Sequence, residues 1–292
     1  MKFVTIIFSL AFFVVGISSG THGAEYKGDI YDAHAHIPKG VSAAQIRKIY
    51  NQAGVKGAGL FVKSFEQSGL QKLRKDLGKN FLFFPDVHKK TKSDYVVKKK
   101  RIQRLKNFYE TGLLAGLGEI YIHLSFAPFA PDGIKTDITG KDELAYLEIA
   151  DQSGIPVHIH HENPDKDFET ILKRFSNVKF ILAHSGYLSP EKLDVLMQNH
   201  PNLYADLSLI SNRHFGPFTE TGVLLSTPPS KAWVALLTKH ADRFMVGSDI
   251  GSDIERVNML PLVIDDYRKL LGHLPPDVAV KIAADNFLRI FR

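Results

Sequence analysis

The chain has 292 residues, with 37 Lys+Arg, 31 Asp+Glu, 13 His and no Cys, and 44% of its residues are hydrophobic. That length and apolar fraction suffice for one large core, which excludes a disordered tail, and the absence of cysteine excludes a disulfide-stapled miniprotein. The formal charge of +6 falls by one if Lys2 belongs to a removable segment, and so small an excess does not point to nucleic acid.

The first segment reads MKFVTIIFSLAFFVVGISSGTHGAEY. A basic residue at position 2, an apolar run from Phe3 to Ile17 and then small and polar residues form the layout of a cleavable secretory signal peptide. The apolar run is shorter than the roughly 20 residues that cross a bilayer, and cleavage is expected after Gly23 or Ala24. The expectation is a signal peptide over residues 1–24 and a mature protein, residues 25–292, that is periplasmic or secreted. No later stretch reads as a membrane span.

The mature chain alternates short β-branched or aromatic runs with longer amphipathic segments. Strands are predicted at 29–34 (DIYDAH), 56–63 (KGAGLFVK), 81–86 (FLFFPD), 114–120 (LAGLGEI), 155–160 (IPVHIH), 178–183 (VKFILA), 202–207 (NLYADL) and 243–248 (RFMVGS). Eight such units in a chain of this length predict an α/β fold, the (β/α)8 TIM barrel. No repeat or low-complexity linker divides it, so a single domain is expected. A first helix is predicted from Ser42 and Ala44 onward. Ser189-Pro190 reads as an N-cap followed by proline in the first turn, and a last helix runs from Pro276 to Phe291. The stretch from Leu124 to Gly140 reads as a long loop without an element, a candidate lid or specificity loop.

The chemistry-bearing residues gather where apolar runs end. In Asp32-Ala33-His34-Ala35-His36, extended backbone places His34 and His36 on one face, as a metal site needs. Asp32 shares that parity and either orients a histidine or bonds backbone. Further along come His158-Ile159-His160-His161-Glu162, His184 in LAHSG and Asp249 in VGSD. Polar groups at the mouth of a core are costly unless something coordinates or pairs with them. His34, His36, one of His158 and His160, His184 and Asp249 supply donors suited to Zn2+, with Mn2+, Fe2+ or Co2+ also compatible. Glu119 in GLGEI, read as ending the fourth strand, either bridges two metals or pairs with a cation.

Other features read more plainly. Gly54, Gly57 and Gly59 precede the second strand in this reading, so they are not a nucleotide-binding loop. His161 points away from His160. His88, His200, His240 and His273 read as satisfied surface histidines. The run Lys89, Lys90, Lys92, Lys98, Lys99, Lys100, Arg101, Arg104 and Lys106 reads as a solvated face, with attraction to anions or a membrane surface as the alternative.

The stretches DAHAHIP, GLGEI, IPVHIH, VKFILAHSG, NLYADLS, FMVGSDIG and IAADNFLRIF, in this order over almost the whole mature chain, resemble the amidohydrolase superfamily, in particular its amidohydrolase-related branch. The resemblance implies metal ligation by His34, His36, His160, His184 and Asp249, with His160 matching the fifth-strand histidine. It implies catalytic roles for Asp249 in proton transfer and His184 in stabilising charge. No lysine stands at the end of the fourth strand to be carboxylated. Glu119 occupies that region, as in relatives with a bridging glutamate, so one or two ions are expected. With one ion, the family pattern implies ligation by His34, His36, His160 and Asp249. Lys63, Tyr121, His123, Tyr187, Asp206, Arg213 and His214 are candidate substrate contacts because they sit at or just past strand ends. The expected activity is hydrolysis of a small carbonyl compound (amide, lactone or ester) or phosphoester. The alternatives are a metal-dependent decarboxylase or hydratase and a non-catalytic binding barrel. The expected partner is a small-molecule substrate, with no specific nucleic acid, and homodimerisation is a family-level expectation.

Overall fold

The computed structural model describes residues 24–37, 40–63, 66–90, 95–125, 130, 132–208, 227–251 and 254–292. The expected signal peptide up to Gly23, together with Arg213 and His214, lies outside the described residues.

Eight parallel strands stand at the eight expected places: β1 (Ile30–His36), β2 (Val55–Val62), β3 (Phe81–Pro85), β4 (Leu117–Leu124), β5 (Val157–His161), β6 (Phe180–Leu182), β7 (Leu203–Asp206) and β8 (Phe244–Met245). They pair in chain order as two sheets, β1-β2-β3 and β4-β5-β6-β7-β8. Their sequences are near-continuous apolar runs because both faces are covered, as parallel sheets require.

The expected closed barrel ladder is not formed among the described residues. The sheets meet through isolated parallel bridges, Phe83 with Leu114 on one side and Ala35 with Ile250 on the other. The second seam is bonded but irregular, because two backbone N–H groups past β8 converge on one β1 carbonyl. Ala33 N donates to Val246 O (2.8 Å) and His36 N to Ile250 O (2.8 Å), but between them Ser248 N and Asp249 N both reach His34 O (3.1 and 2.7 Å). Ser248 N also donates to Asp32 Oδ1 (2.9 Å).

The helices follow the strands: α1 (Ala43–Ala53), α2 (Gln67–Leu77), α3 (Lys99–Glu110), α4 (Lys141–Ser153), α5 (Lys166–Arg174), α6 (Pro190–Asn199), α7 (Lys231–Lys239), α8 (Ile254–Asn258) and α9 (Leu260–Leu271). α1 starts with a capping box between Ser42 and Gln45, and α6 starts with Ser189 as N-cap and Pro190 in its first turn. The predicted last helix is present in three parts, α10 (Pro276–Val280), a π-turn over Lys281–Asp285 and α11 (Asn286–Phe291). Among the described residues no helix is long and apolar enough to cross a membrane.

Three sequence readings change. Gly57 and Gly59 lie inside β2, where close packing explains them: a Cβ on Gly57 would stand 2.3 Å from the Asn80 carbonyl oxygen. The 124–140 stretch contains a short strand, Ile134–Lys135, which pairs antiparallel with His123 and Leu124 and so folds back on β4. His88, His200 and His240 are buried rather than on the surface, each against carboxylates that compensate the imidazole's burial. His88 sits between Asp86 (3.0 Å) and Glu143 (3.2 Å), His200 beside Glu169 (3.2 Å) and His240 beside Asp194 (2.7 Å).

Candidate metal centre

The irregularities in strand pairing fall beside the polar residues. Along β1 the partner of Asp32 is Ala58 and that of Ala35 is Leu60, so an extra residue is accommodated around Ala33 and His34. Along β4 the same slip lies between Leu117 and Ile120 and takes in Glu119. An added residue re-aims its side chain. β4 also continues to Leu124, so Glu119 lies within the strand instead of ending it, and it shares strand parity with Tyr121 and His123.

Four donors from β1, β4 and the segment past β8 converge. Asp249 Oδ1 is 3.1 Å from His34 Nε2 and 3.1 Å from His36 Nε2, while Glu119 Oε2 is 3.6 and 3.3 Å from the same nitrogens. His34, Glu119, His160 and His184 are all buried. The other oxygen of Glu119 serves a second group: Oε1 is 2.8 Å from His160 Nδ1 and 3.6 Å from His184 Nε2, and those two nitrogens are 3.2 Å apart. His34, His36, Glu119 and Asp249 thus form one possible ion site, and Glu119, His160 and His184 another. His184 (φ 54°) and Asp249 (φ 50°) are held in the left-handed region, at about 1–2 kcal/mol per residue. Strain of this kind gathers at functional sites.

A layer of acceptors orients these imidazoles. Asp206, at the end of β7, takes His34 Nδ1 (3.0 Å) and His158 Nε2 (2.6 Å) on one oxygen, and the backbone N–H groups of His184 (3.1 Å) and Ser208 (2.9 Å) on the other. Ser208 Oγ bonds Asp206 and is 2.8 Å from His184 Nδ1. With its Nδ1 proton on Asp206, His34 turns the Nε2 lone pair toward two carboxylates, and this buried nitrogen has no hydrogen bond of good geometry among the described residues. Only a proton or a cation between them relieves that contact. Burial alone would lower the His34 pKa, but Asp206, Glu119 and Asp249 overcome it and raise it. Burial likewise opposes a rise for His36 and His160, but the neighbouring carboxylates outweigh burial and raise both to about 9. Such a donor set, two imidazoles and two carboxylates about one point, fits a divalent ion of the zinc or manganese type.

The remaining sequence-predicted residues divide. Tyr121 and Tyr187 line the second group, their rings 5.5 and 6.3 Å from that of His160, and Tyr187 lies 5.2 Å from that of His184. Burial and the nearby Asp249, Glu162 and Glu119 carboxylates raise the Tyr187 pKa. His123 bonds the Glu162 carbonyl (3.0 Å), and Lys63 is exposed just past β2. Asp206 is fully buried and engaged by five donors, a placement that orients histidines and leaves it no surface for a substrate. Asp32 bonds Ser248, Tyr50 Oη (3.1 Å) and His34 N (3.1 Å), which is the backbone-bonding reading. His161 packs on Phe168 (5.3 Å between rings), outside both groups. Sequence reasoning missed Ser208 and gave Glu162 no role beyond its place in the His158–Glu162 run, although each stands two residues past a strand-end polar residue, the same-face spacing that flagged His36.

No family model matches the chain, and no curated protein matches it by sequence. Solved structures do resemble it. A TatD homologue of Escherichia coli shares 14% identity at a TM-score of 0.63, covering 90% of this chain and 97% of that one. A proposed 2-pyrone-4,6-dicarboxylic acid hydrolase of Pseudomonas putida shares 16% at 0.60, covering 90% and 97%. An amidohydrolase of Burkholderia multivorans with bound zinc shares 11% at 0.55, covering 90% and 99%. The structural neighbours are amidohydrolase-type TIM-barrel proteins, and at these identities the likeness shows the fold.

Proposed function

We propose that the protein is a metal-dependent hydrolase acting on a small amide, lactone, ester or phosphoester, with one or two divalent ions, zinc foremost, held by His34, His36, Glu119, His160, His184 and Asp249. The observation that carries this reading is the two-faced Glu119 carboxylate, one oxygen toward each donor group, beside a His34 Nε2 without a hydrogen bond of good geometry among the described residues. The zinc-bearing amidohydrolase among the neighbours supports the choice of metal. The amino-terminal layout supports export to the periplasm or beyond.

A divalent ion at this site would acidify water and polarise a carbonyl or phosphoryl oxygen. Asp249, kept ionised by His34 and His36 against the effect of burial, accepts the attacking water's proton and delivers it to the leaving group. With a single ion bound, His184, whose Nδ1 is held by Ser208, would stabilise the negative charge growing on the substrate oxygen through a proton carried on Nε2. Tyr121 and Tyr187 wall the site beside His160 and limit water there.

The test is metal content of protein purified without metal-affinity resin, with a His34→Ala/His36→Ala control, followed by turnover on a panel of carbonyl and phosphoester substrates with CO2 release monitored. Near two equivalents, lost in the control, with hydrolysis and no CO2, is the expected result. No metal after supplementation overturns the proposal, and CO2 release moves the activity to decarboxylation.

A further inference from the structure

His34 and His160 face Glu119 through opposite ring nitrogens, Nε2 for His34 and Nδ1 for His160. Which nitrogen an imidazole offers is set by what holds the other one. For His34 the holder is Asp206. For His160 the atom facing Nε2 is Glu162 Oε1, at 3.4 Å.

Glu162 is itself built in. Ser125 Oγ donates to its Oε2. Its backbone N–H donates to His123 O (3.1 Å), and His123 Nδ1 returns a bond to the Glu162 carbonyl (3.0 Å). The residue is therefore fastened at backbone and side chain to the end of β4, the strand that carries Glu119. Its side chain retains 16% of its possible exposure, so the carboxylate lies at the rim, behind His160 as seen from Glu119.

We infer that Glu162 is the positioning residue of His160: it accepts the Nε2 proton and thereby leaves Nδ1 as the nitrogen presented to an ion shared with Glu119 and His184. This rests on the metal reading above. The two donor groups then have separate orienting carboxylates, Asp206 for His34 and Glu162 for His160. Asp206 also holds the backbone of His184, so its loss disturbs both groups, whereas loss of Glu162 disturbs one.

The test combines zinc titration against a chromophoric chelator with nitrogen-15 NMR of the histidine rings, on wild type, Glu162→Ala and the isosteric Glu162→Gln. In Glu162→Ala one equivalent is expected to weaken by about 10–100-fold while the other keeps its affinity, and the Nε2-protonated signature of His160 is lost. Glu162→Gln, which keeps an acceptor but not the charge, falls between and covers the case in which the alanine variant does not fold. Unchanged affinities with an unchanged His160 signature, or equal weakening of both equivalents, overturn the inference. Should the wild type bind one ion, the same comparison is made on that ion. Should it bind none, the functional reading fails, and the His160 ring signature, read above about pH 9 where the ring is neutral, alone decides whether Glu162 holds the imidazole.

Discussion

Asp206→Asn is the most direct probe of the buried polar layer. The carboxylate accepts from His34 Nδ1, His158 Nε2, the N–H groups of His184 and Ser208, and Ser208 Oγ. Burial would raise its pKa, but His34 and His158 hold it well below the usual carboxylate range, so it is an anion. Asparagine has the same shape, yet one of its two terminal atoms must be an NH2. Placed at either oxygen position, that group faces donors, so at least two of them lose their acceptor, and the anion between two imidazoles is gone. Breaking a buried pair on one side costs about 3–5 kcal/mol, equivalent for a domain of this size to a melting temperature lower by roughly 6–20 °C. The assay is calorimetric melting at neutral pH in excess chelator, which removes any stabilisation by bound ion. A fall of less than about 2 °C would refute the assignment of Asp206 as the hub of the layer.

Other expectations follow from single contacts. Burial opposes but Asp86 and Glu143 raise the His88 pKa above 6.5, so its stabilisation is complete below the unfolded value and is lost as pH rises through the folded one. The melting gap between wild type and His88→Gln should therefore shrink as pH rises from below 6.5 through the raised folded pKa, and a gap that widens would count against it. Gly251→Ala places a Cβ 2.1 Å from His36 O at a φ of 138°, so a loss of about 1–3 kcal/mol in urea unfolding and lower metal content are expected. A native-like variant would show that the His36 backbone yields freely. Ser42→Ala removes the α1 cap and should cost about 1 kcal/mol with an unchanged denaturant slope, and no shift in the urea midpoint would contradict the capping assignment.

The strands were legible because each is an apolar run bounded by polar residues, and the clustered histidines and carboxylates because they interrupt or end such runs. Reading Glu119 as a strand terminus failed because Tyr121 and His123 continue β4 on the same face, and alternation of polar with apolar residues looks like a strand end when the preceding run is solidly apolar. His88 looked like a surface residue since its partner Glu143 lies 55 positions away on α4. No local pattern announces a pair of that separation.

The orienting residues expose the deeper limit. Asp206 meets His34 across 172 positions and His158 across 48, so its role follows from strand register, which the sequence carries only through turn geometry and buried patterning. Glu162 differs, standing two residues past His160. In a regular strand, parity would put Asp32, His34 and His36 on one face. The slip between Asp32 and Ala35 instead lets Asp32 serve the Ser248 backbone while His34 and His36 face Asp249. The same device at Gly118–Glu119 carries the Glu119 carboxylate between two histidine pairs. A candidate donor set can thus be read from residue type at strand ends, but which face each donor serves is decided by one-residue slips in pairing, and those depend on what the neighbouring strand offers at that level.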